Sequence, residues 1–383
     1  MNHVAMVIPG IDHLGGAEMQ LLHLARGLQK RRWRVTVVAL SGTGGEAGPQ
    51  LVASGVELLT LKLRKGLADP AGWIRLNRWL VRKKPDVVHA HLPHAAWIVR
   101  WSRLFAPVRV VLDTVHTSAC GTVGRRIGYR CSNWLTDAVT SVSENAAEAY
   151  RSAQMVSADR LIVIPNGVDT CYWKPLTGVR VGSGKDSDFK EEFTWLAAGR
   201  LEPVKDYPVL LDAFALLPQN ARLIIAGTGS MGTELRVRSA DLGLASRVSF
   251  LGFERNLLQN MQAADAFVLS SKWEGLPTVL LEAGACALPS VATDVPGSRE
   301  VLLDGETGLI TRPGSAPALA EAMEKMMRMD PAAREMMGVR ARQRVEARFC
   351  LETILDQWDS LYRGLLRELS VRSHWARALP KTN

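Results

Sequence analysis

Nowhere does the chain hold the roughly 20 uninterrupted apolar residues of a membrane-spanning helix. Cysteine is scarce: Cys120, Cys131, Cys171, Cys286 and Cys350 are odd in number and scattered, with no C-x-x-C pair. That pattern excludes a disulfide framework and a thiolate zinc clamp, and points to buried thiols in a reducing compartment. The opening apolar run Val4–Ile8 is too short for a signal-peptide core and runs straight into Pro9 and Gly10, so a cytoplasmic protein is the expectation. No zinc finger, helix-turn-helix or aromatic-basic RNP-like run is visible, which argues against nucleic acid as the partner. What is present is ordinary for a globular protein. Hydrophobic residues make up 47% and charged residues 22% of 383, enough for two domains and too apolar for a disordered or collagen-like chain.

The net charge of +9 is uneven. Residues 1–180 carry a balance of +11 and the remainder −2, so the positive field belongs to the first half and suits an anionic partner. It concentrates in Lys30-Arg31-Arg32-Trp33-Arg34, Lys62–Lys65, Arg75–Lys84 and Arg100–Arg103. Six of the eleven tryptophans lie before residue 150, and Trp33, Trp73, Trp79, Trp97 and Trp101 stand in or near these runs. Basic residues beside tryptophan suit peripheral contact with the anionic cytoplasmic face of an inner membrane. The plainer alternative is a solvated helix face whose tryptophans are core.

Short apolar runs alternate with helical periodicity along the whole chain, which predicts parallel sheets covered by helices. In the first half the strand candidates are Val4–Ile8, Val35–Leu40, Val56–Leu61, Val87–His89, Val108–Leu112, Ala138–Val142 and Leu161–Ile164. The small, polar stretch Gly178–Asp188 reads as a linker. The alternation then restarts with Thr194–Ala198, Arg222–Ala226, Val248–Leu251, Ala266–Leu269 and Ser290–Ala292. The expected organisation is therefore a domain over 1–180, a second over 190–350, and a C-terminal helix over 351–370. Ligands of such sheets bind at the carboxyl ends of the strands, so each half would offer its loops to a shared cleft.

Three constellations could carry chemistry. Glu274-Gly275-Leu276-Pro277-Thr278-Val279-Leu280-Leu281-Glu282 holds two glutamates separated by seven residues. Pro277 suits a helix start, and eight helical positions put the two carboxylates on one side, roughly 12 Å apart. That is too far for a glycosidase pair, but it suits gripping two hydroxyl-rich parts of one long ligand, with helix N–H groups between them for phosphate. Glu282 lies in an apolar run where an unpaired charge is costly. Gly199-Arg200-Leu201-Glu202-Pro203-Val204-Lys205 follows an apolar strand, and Arg200 and Lys205 are placed to meet an anion. Gly15-Gly16-Ala17-Glu18 forms the first strand-to-helix turn, where glycine lets a diphosphate approach the backbone.

Taken in this order, the three resemble the GT-B glycosyltransferases of family 4, of the kind that build bacterial polysaccharides. The resemblance covers nearly the whole chain. It includes Val88-His89-Ala90-His91, Ser141-Val142-Ser143, Pro165-Asn166-Gly167-Val168-Asp169, Ala226-Gly227-Thr228-Gly229 and Pro289-Ser290-Val291-Ala292-Thr293. It implies an α/β fold of GT-B type, two Rossmann-like domains facing a central cleft, and sugar transfer from a nucleotide-sugar, by default a UDP-sugar, with retention of configuration. It further implies that Glu274 holds donor-sugar hydroxyls and Glu282 the ribose, with Gly275, Leu276, Thr278 and Val279 lining the donor between them. Arg200 and Lys205, helped by Gly15 and Gly16, would grip the diphosphate, and His116 would stand beside the transferred sugar. No metal or cofactor is implied. The family often has Gly after the lysine, where this chain has Asp206, an added carboxylate that would soften the field around Lys205.

Competing readings leave more unexplained. Gly227-Thr228-Gly229-Ser230-Met231-Gly232 matches the dinucleotide fingerprint, with Glu254 further on, but it follows the second strand of its half rather than the first. His89-Ala90-His91-Leu92-Pro93-His94 could supply zinc ligands, though Pro93 stands where such clusters carry Asp; otherwise these histidines would be polar cleft lining. Asp186-Ser187-Asp188 sits in the linker with no strand before it and is read as chance. The expected acceptor is a lipid-linked glycan, the alternative a small soluble metabolite.

Overall fold

The computed structural model describes residues 1–12, 15–45, 47–63, 69–118, 120–176, 192–254 and 256–378, with side chains to residue 369. The chain forms two compact units, Met1–Gly167 with Leu351–Asn383, and Val168–Cys350. The division thus falls at Gly167, ahead of the stretch Gly178–Asp188, which lies outside the described residues together with the Asp186-Ser187-Asp188 triplet.

The described residues of the first unit build a parallel sheet from β1 (His3–Ile8), β2 (Arg34–Ala39), β3 (Glu57–Thr60), β4 (Val87–His91), β5 (Val110–Val115), β6 (Ala138–Ser141) and β7 (Leu161–Val163). Their order is β3-β2-β1-β4-β5-β6-β7. Most strand residues are apolar because helices cover both faces. Along β1, Val4, Met6 and Ile8 face one core, while Ala5 and Val7 face the other, as a period of two requires.

The helix Leu351–Ala378 belongs to this unit, and Ile354, Leu355, Trp358, Tyr362 and Leu366 complete its first core. It lies so close to the helix Gly16–Lys30 that a Cβ at Gly27 would collide with Leu355. Trp33 is fully buried, edge-on to Tyr362, and its Nε1 donates to Asp359 at 2.6 Å. Arg31 pairs with Glu352 and Asp356, and Arg34 with Glu57. Trp79 is core, and Arg100 is buried against Asp113. Much of the basic and tryptophan-bearing sequence expected to lie on a membrane is therefore internal or already ion-paired. For Trp33 and Arg31 the reason is that Asp359, Glu352 and Asp356 lie more than 300 residues further along the chain.

The second unit repeats the plan with β8 (Phe193–Ala198), β9 (Ala221–Ala226), β10 (Val248–Gly252), β11 (Ala266–Leu269), β12 (Ser290–Thr293) and β13 (Leu309–Thr311), in the order β10-β9-β8-β11-β12-β13 and all parallel. The three-residue strand β13 is one the sequence pattern did not pick out. Leu319, Met323 and Met326 of the helix Ala316–Arg328 pack over one face of the sheet.

Candidate functional site

In the second unit the expected residues gather at the carboxyl ends of β8, β9 and β11. Gly199 ends β8, and its backbone meets that of Gly227 at the end of β9. Both have φ near +147°, a region only glycine enters freely, and a Cβ at Gly227 would strike the Gly199 carbonyl. Gly229 likewise lies against the Leu201 backbone, while Leu201 N–H donates to Thr228 O and Met231 N–H to Leu201 O. The glycines of the fingerprint-like run therefore serve loop-to-loop packing, and Glu254 accepts from the Asn256 amide at the start of the helix Leu257–Ala263. Neither has the placement a dinucleotide site needs.

Arg200 is exposed and its charge acts on the neighbouring Glu202 carboxylate, with no hydrogen bond or ion pair of its guanidinium among the described residues. Lys205 donates to Glu274 Oε1 at 2.5 Å, and Ser271 Oγ donates to the same oxygen at 2.6 Å. The pair is largely buried. Lys205 was expected to meet an anion with its field softened by Asp206; its charge is instead held against the Glu274 carboxylate. Asp206 sits at φ +51°, a conformation glycine favours and aspartate tolerates. Its Oδ1 pairs with Lys272 at 3.2 Å, so its charge is directed to Lys272 and not to Lys205.

After Glu274, the buried Gly275 and Leu276 lead into the helix Thr278–Ala285. The first helical bonds run from Leu280 and Leu281 N–H to the Pro277 carbonyl, which leaves the Thr278 and Val279 amides ahead of the ladder, at the positive end of the helix. Glu282 lies on this helix, and burial pushes its carboxyl up to about 8. A carboxyl this desolvated gains by meeting hydroxyl groups that can bond it.

The first unit, taken by itself, holds two further places expected from the sequence. Gly15 caps the helix Gly16–Lys30, and its amide donates to Glu18 at 3.2 Å. The remaining first-turn amides, Gly16 included, form an anion-favouring terminus without side-chain bulk at Gly16. His116 follows β5, with Nε2 3.3 Å from His91 Nδ1. Burial lowers its pKa to about 4, so the ring is neutral near pH 7 and can exchange hydrogen bonds without carrying charge.

His89 and His91 are buried on β4, not lining a cleft as the sequence suggested. Both ring nitrogens of His89 are engaged, with Tyr362 Oη at 2.7 Å and Thr114 Oγ1 at 2.6 Å, so zinc ligation through either nitrogen would mean breaking a buried hydrogen bond. Among the described residues no group of three His, Cys, Asp or Glu side chains could hold a metal ion. A small cavity of about 20 Å³ beside His91 and His116, room for one water, is lined also by Leu351, Leu355 and Trp358 of the last helix. One cluster escaped sequence reasoning altogether. Arg100 is fully buried, forks onto Asp113 and lies 3.9 Å over the Tyr129 ring. Only the arginine's place inside an apolar helix hinted at it.

Residues 14–171 match the family model "Glycosyltransferase Family 4", and residues 184–344 match "Glycosyl transferases group 1". The chain is a glycosyltransferase of the GT-B superfamily. This glycosyltransferase is 29% identical over 342 residues to the phosphatidyl-myo-inositol mannosyltransferase of Mycobacterium leprae, covering 85% of this chain and 88% of the relative. It is 26% identical over 301 residues to the N-acetyl-alpha-D-glucosaminyl L-malate synthase of Bacillus anthracis, covering 75% and 77%. Among solved structures, Anabaena HepE in complex with UDP superposes with a TM-score of 0.80 at 23% identity, over 95% of this chain and 100% of that one. Two Rossmann-like units of the GT-B kind are therefore the architecture of this enzyme.

Proposed function

We propose that this glycosyltransferase moves a sugar from a UDP-sugar to a hydroxyl of a lipid-linked glycan, in the building of a surface polysaccharide, with retention of anomeric configuration. The observation that carries the reading is the cluster of Glu274, Lys205 and Ser271 near the exposed Arg200 and the open start of the helix Thr278–Ala285. It offers a carboxylate for sugar hydroxyls next to fixed cations and amide dipoles for a diphosphate. HepE, which shares the fold, holds UDP, and the mycobacterial relative is a phosphatidylinositol mannosyltransferase, which supports a lipid-borne acceptor.

In this mechanism the second unit holds the donor. Glu274 orients the sugar hydroxyls and Glu282 the ribose. Arg200, Lys205 and the helix amides stabilise the charge that develops on the departing diphosphate, with the Gly16 terminus of the first unit assisting. The Glu274 carboxylate is bound by Lys205 and Ser271 and is not poised as a covalent nucleophile, which favours departure and attack on the same face of the sugar. The first unit presents the acceptor, and neutral His116 stands beside the transferred sugar. Because fixed protein charges carry the leaving group, EDTA leaves turnover intact.

The test begins with a panel of nucleotide-sugars screened for protection against unfolding. A true donor at hundredfold excess over its dissociation constant stabilises by roughly 2.7 kcal/mol. The donor found is then offered with a detergent-solubilised lipid-diphosphate-linked sugar and, separately, with small hydroxy acids. Transfer to the lipid-linked sugar with a retained anomer supports the reading; transfer only to a small free acceptor replaces it with a soluble metabolite enzyme.

A further inference from the structure

The helix Val123–Cys131 is built the wrong way round for an ordinary surface helix. Its one buried side chain is Tyr129. Val123, Ile127 and Cys131 follow at i, i+4 and i+8 and so form one ridge, turned away from Tyr129 into the open. Val123 is 68% exposed and Ile127 57%. Arg126 and Arg130 flank this ridge on one side. On the other, a Cβ at Gly128 would lie 3.8 Å from Nε1 of Trp97, which is itself 52% exposed. Trp134, in the turn Asn133–Leu135 that follows, is 64% exposed.

The charge around this ridge has a single sign. From Val87 to Thr136 the only carboxylate is Asp113, which is buried and held by Arg100. Arg103 and Arg109 are neutralised by Asp137 and Asp86, just outside that stretch. Among the described residues Arg125, Arg126 and Arg130 have no carboxylate partner, Arg126 Nε donating to the Gly121 carbonyl at 3.4 Å.

We infer that the helix Val123–Cys131, with Trp97 and Trp134 beside it, is the surface by which this enzyme lies on an anionic lipid bilayer. An outward apolar ridge edged by arginine and tryptophan matches the acyl–headgroup boundary, where apolar side chains enter, indoles sit at headgroup level and guanidinium groups meet lipid phosphates. A solvated helix would turn this ridge inward. The mounting is rigid: Arg100 donates to Tyr129 O, Ser132 Oγ and Asn133 Oδ1 while gripping Asp113 of β5. The same strand leads into His116, so the lipid-facing helix and that histidine are held on one strand and keep a fixed spacing. The inference deepens the lipid-acceptor reading and rests on it for its purpose.

The test is co-sedimentation of the full chain at low salt with vesicles of equal parts phosphatidylglycerol and phosphatidylcholine, and with vesicles of phosphatidylcholine alone. The wild type is expected to pellet with the first and not the second, and to be released by added salt. Arg126→Gln with Arg130→Gln lowers partitioning about thirtyfold, and Ile127→Glu at least about tenfold. Protection of both variants by UDP against thermal unfolding should match the wild type, which shows that fold and donor site are intact. Wild-type protein left in the supernatant, variants that pellet as well as wild type, or a ridge-dependent dimer without vesicles each overturn the inference. The two proposals fail separately. Vesicle binding with activity only on a small free acceptor refutes the lipid acceptor and leaves the surface standing. Transfer to a detergent-solubilised lipid acceptor without vesicle binding does the reverse.

Discussion

Two buried tyrosines allow one hydroxyl group to be weighed in two settings. Tyr362 Oη is 2.7 Å from His89 Nδ1 and joins the last helix to β4. Tyr150 Oη is buried too, but among the described residues it has no partner. Phenylalanine keeps the ring in both cases, so no cavity opens and only the hydroxyl changes. Tyr362→Phe strands a fully buried imidazole nitrogen, and leaving such a group unsatisfied costs about 1–3 kcal/mol. Tyr150→Phe removes a hydroxyl that is desolvated without compensation, so it should be neutral or stabilising. For a unit of this size each kcal/mol moves the melting temperature by roughly 2–4 °C. The assay is urea unfolding followed by tryptophan fluorescence, because Trp33 and Trp358 report directly on the seam where the last helix docks. Equal losses in the two variants, or a Tyr362→Phe loss below about 0.5 kcal/mol, would falsify the view that the His89 bond pins this helix.

Other perturbations follow from the site. Arg200→Ala removes a donor to a developing phosphate charge and should cost a hundredfold or more in turnover; a loss under threefold moves the diphosphate elsewhere. Glu282 has its pKa raised by burial from 4.5 to about 8. The native state therefore binds more protons than the unfolded chain across that window, and stability falls as pH rises through it. Glu282→Gln should accordingly unfold at higher urea than wild type at pH 8 while its Michaelis constant for the donor rises; unchanged donor affinity would detach Glu282 from the site. His116 is shifted the other way, from 6.5 to about 4, and His89 and His91 are also lowered by burial. Their contribution is present above pH 6.5 and is lost as pH falls towards 4, by up to about 2 kcal/mol for His116 alone at pH 5. An unfolding midpoint that stays flat from pH 7 to 5 would contradict this.

The parallel sheets were legible because strands covered on both faces are near-continuous apolar runs, and Val4–Ile8 or Ala266–Leu269 can be little else. Strand β13 was not, since three residues carry too little pattern. That Lys205 and Glu274 both lie just beyond strand ends could be anticipated, yet the ion pair between them spans 69 positions and leaves no mark on either local stretch. The same blindness misplaced Trp33 and Arg31, whose basic setting looked like a surface until Asp359, Glu352 and Asp356 came to meet them. Periodicity also tells which residues share a helix face without telling which face packs. The outward ridge at Val123 and Ile127 therefore required coordinates.

The return of the last helix to the first unit sets a timetable for synthesis. Trp33 and its partner Asp359 are 326 positions apart, and at 5–20 residues per second a ribosome needs roughly 15–65 s to supply the second after the first. Through that interval Leu21, Leu28 and Trp33 wait beside an apolar trough with no cover, while Val168–Cys350, which is continuous in sequence, can close its own core as soon as it emerges. The unit made first is thus finished last. A nascent chain stalled after Cys350 would present a folded second unit behind an open, adhesive first one, and that species is the form in which this protein would most need a chaperone.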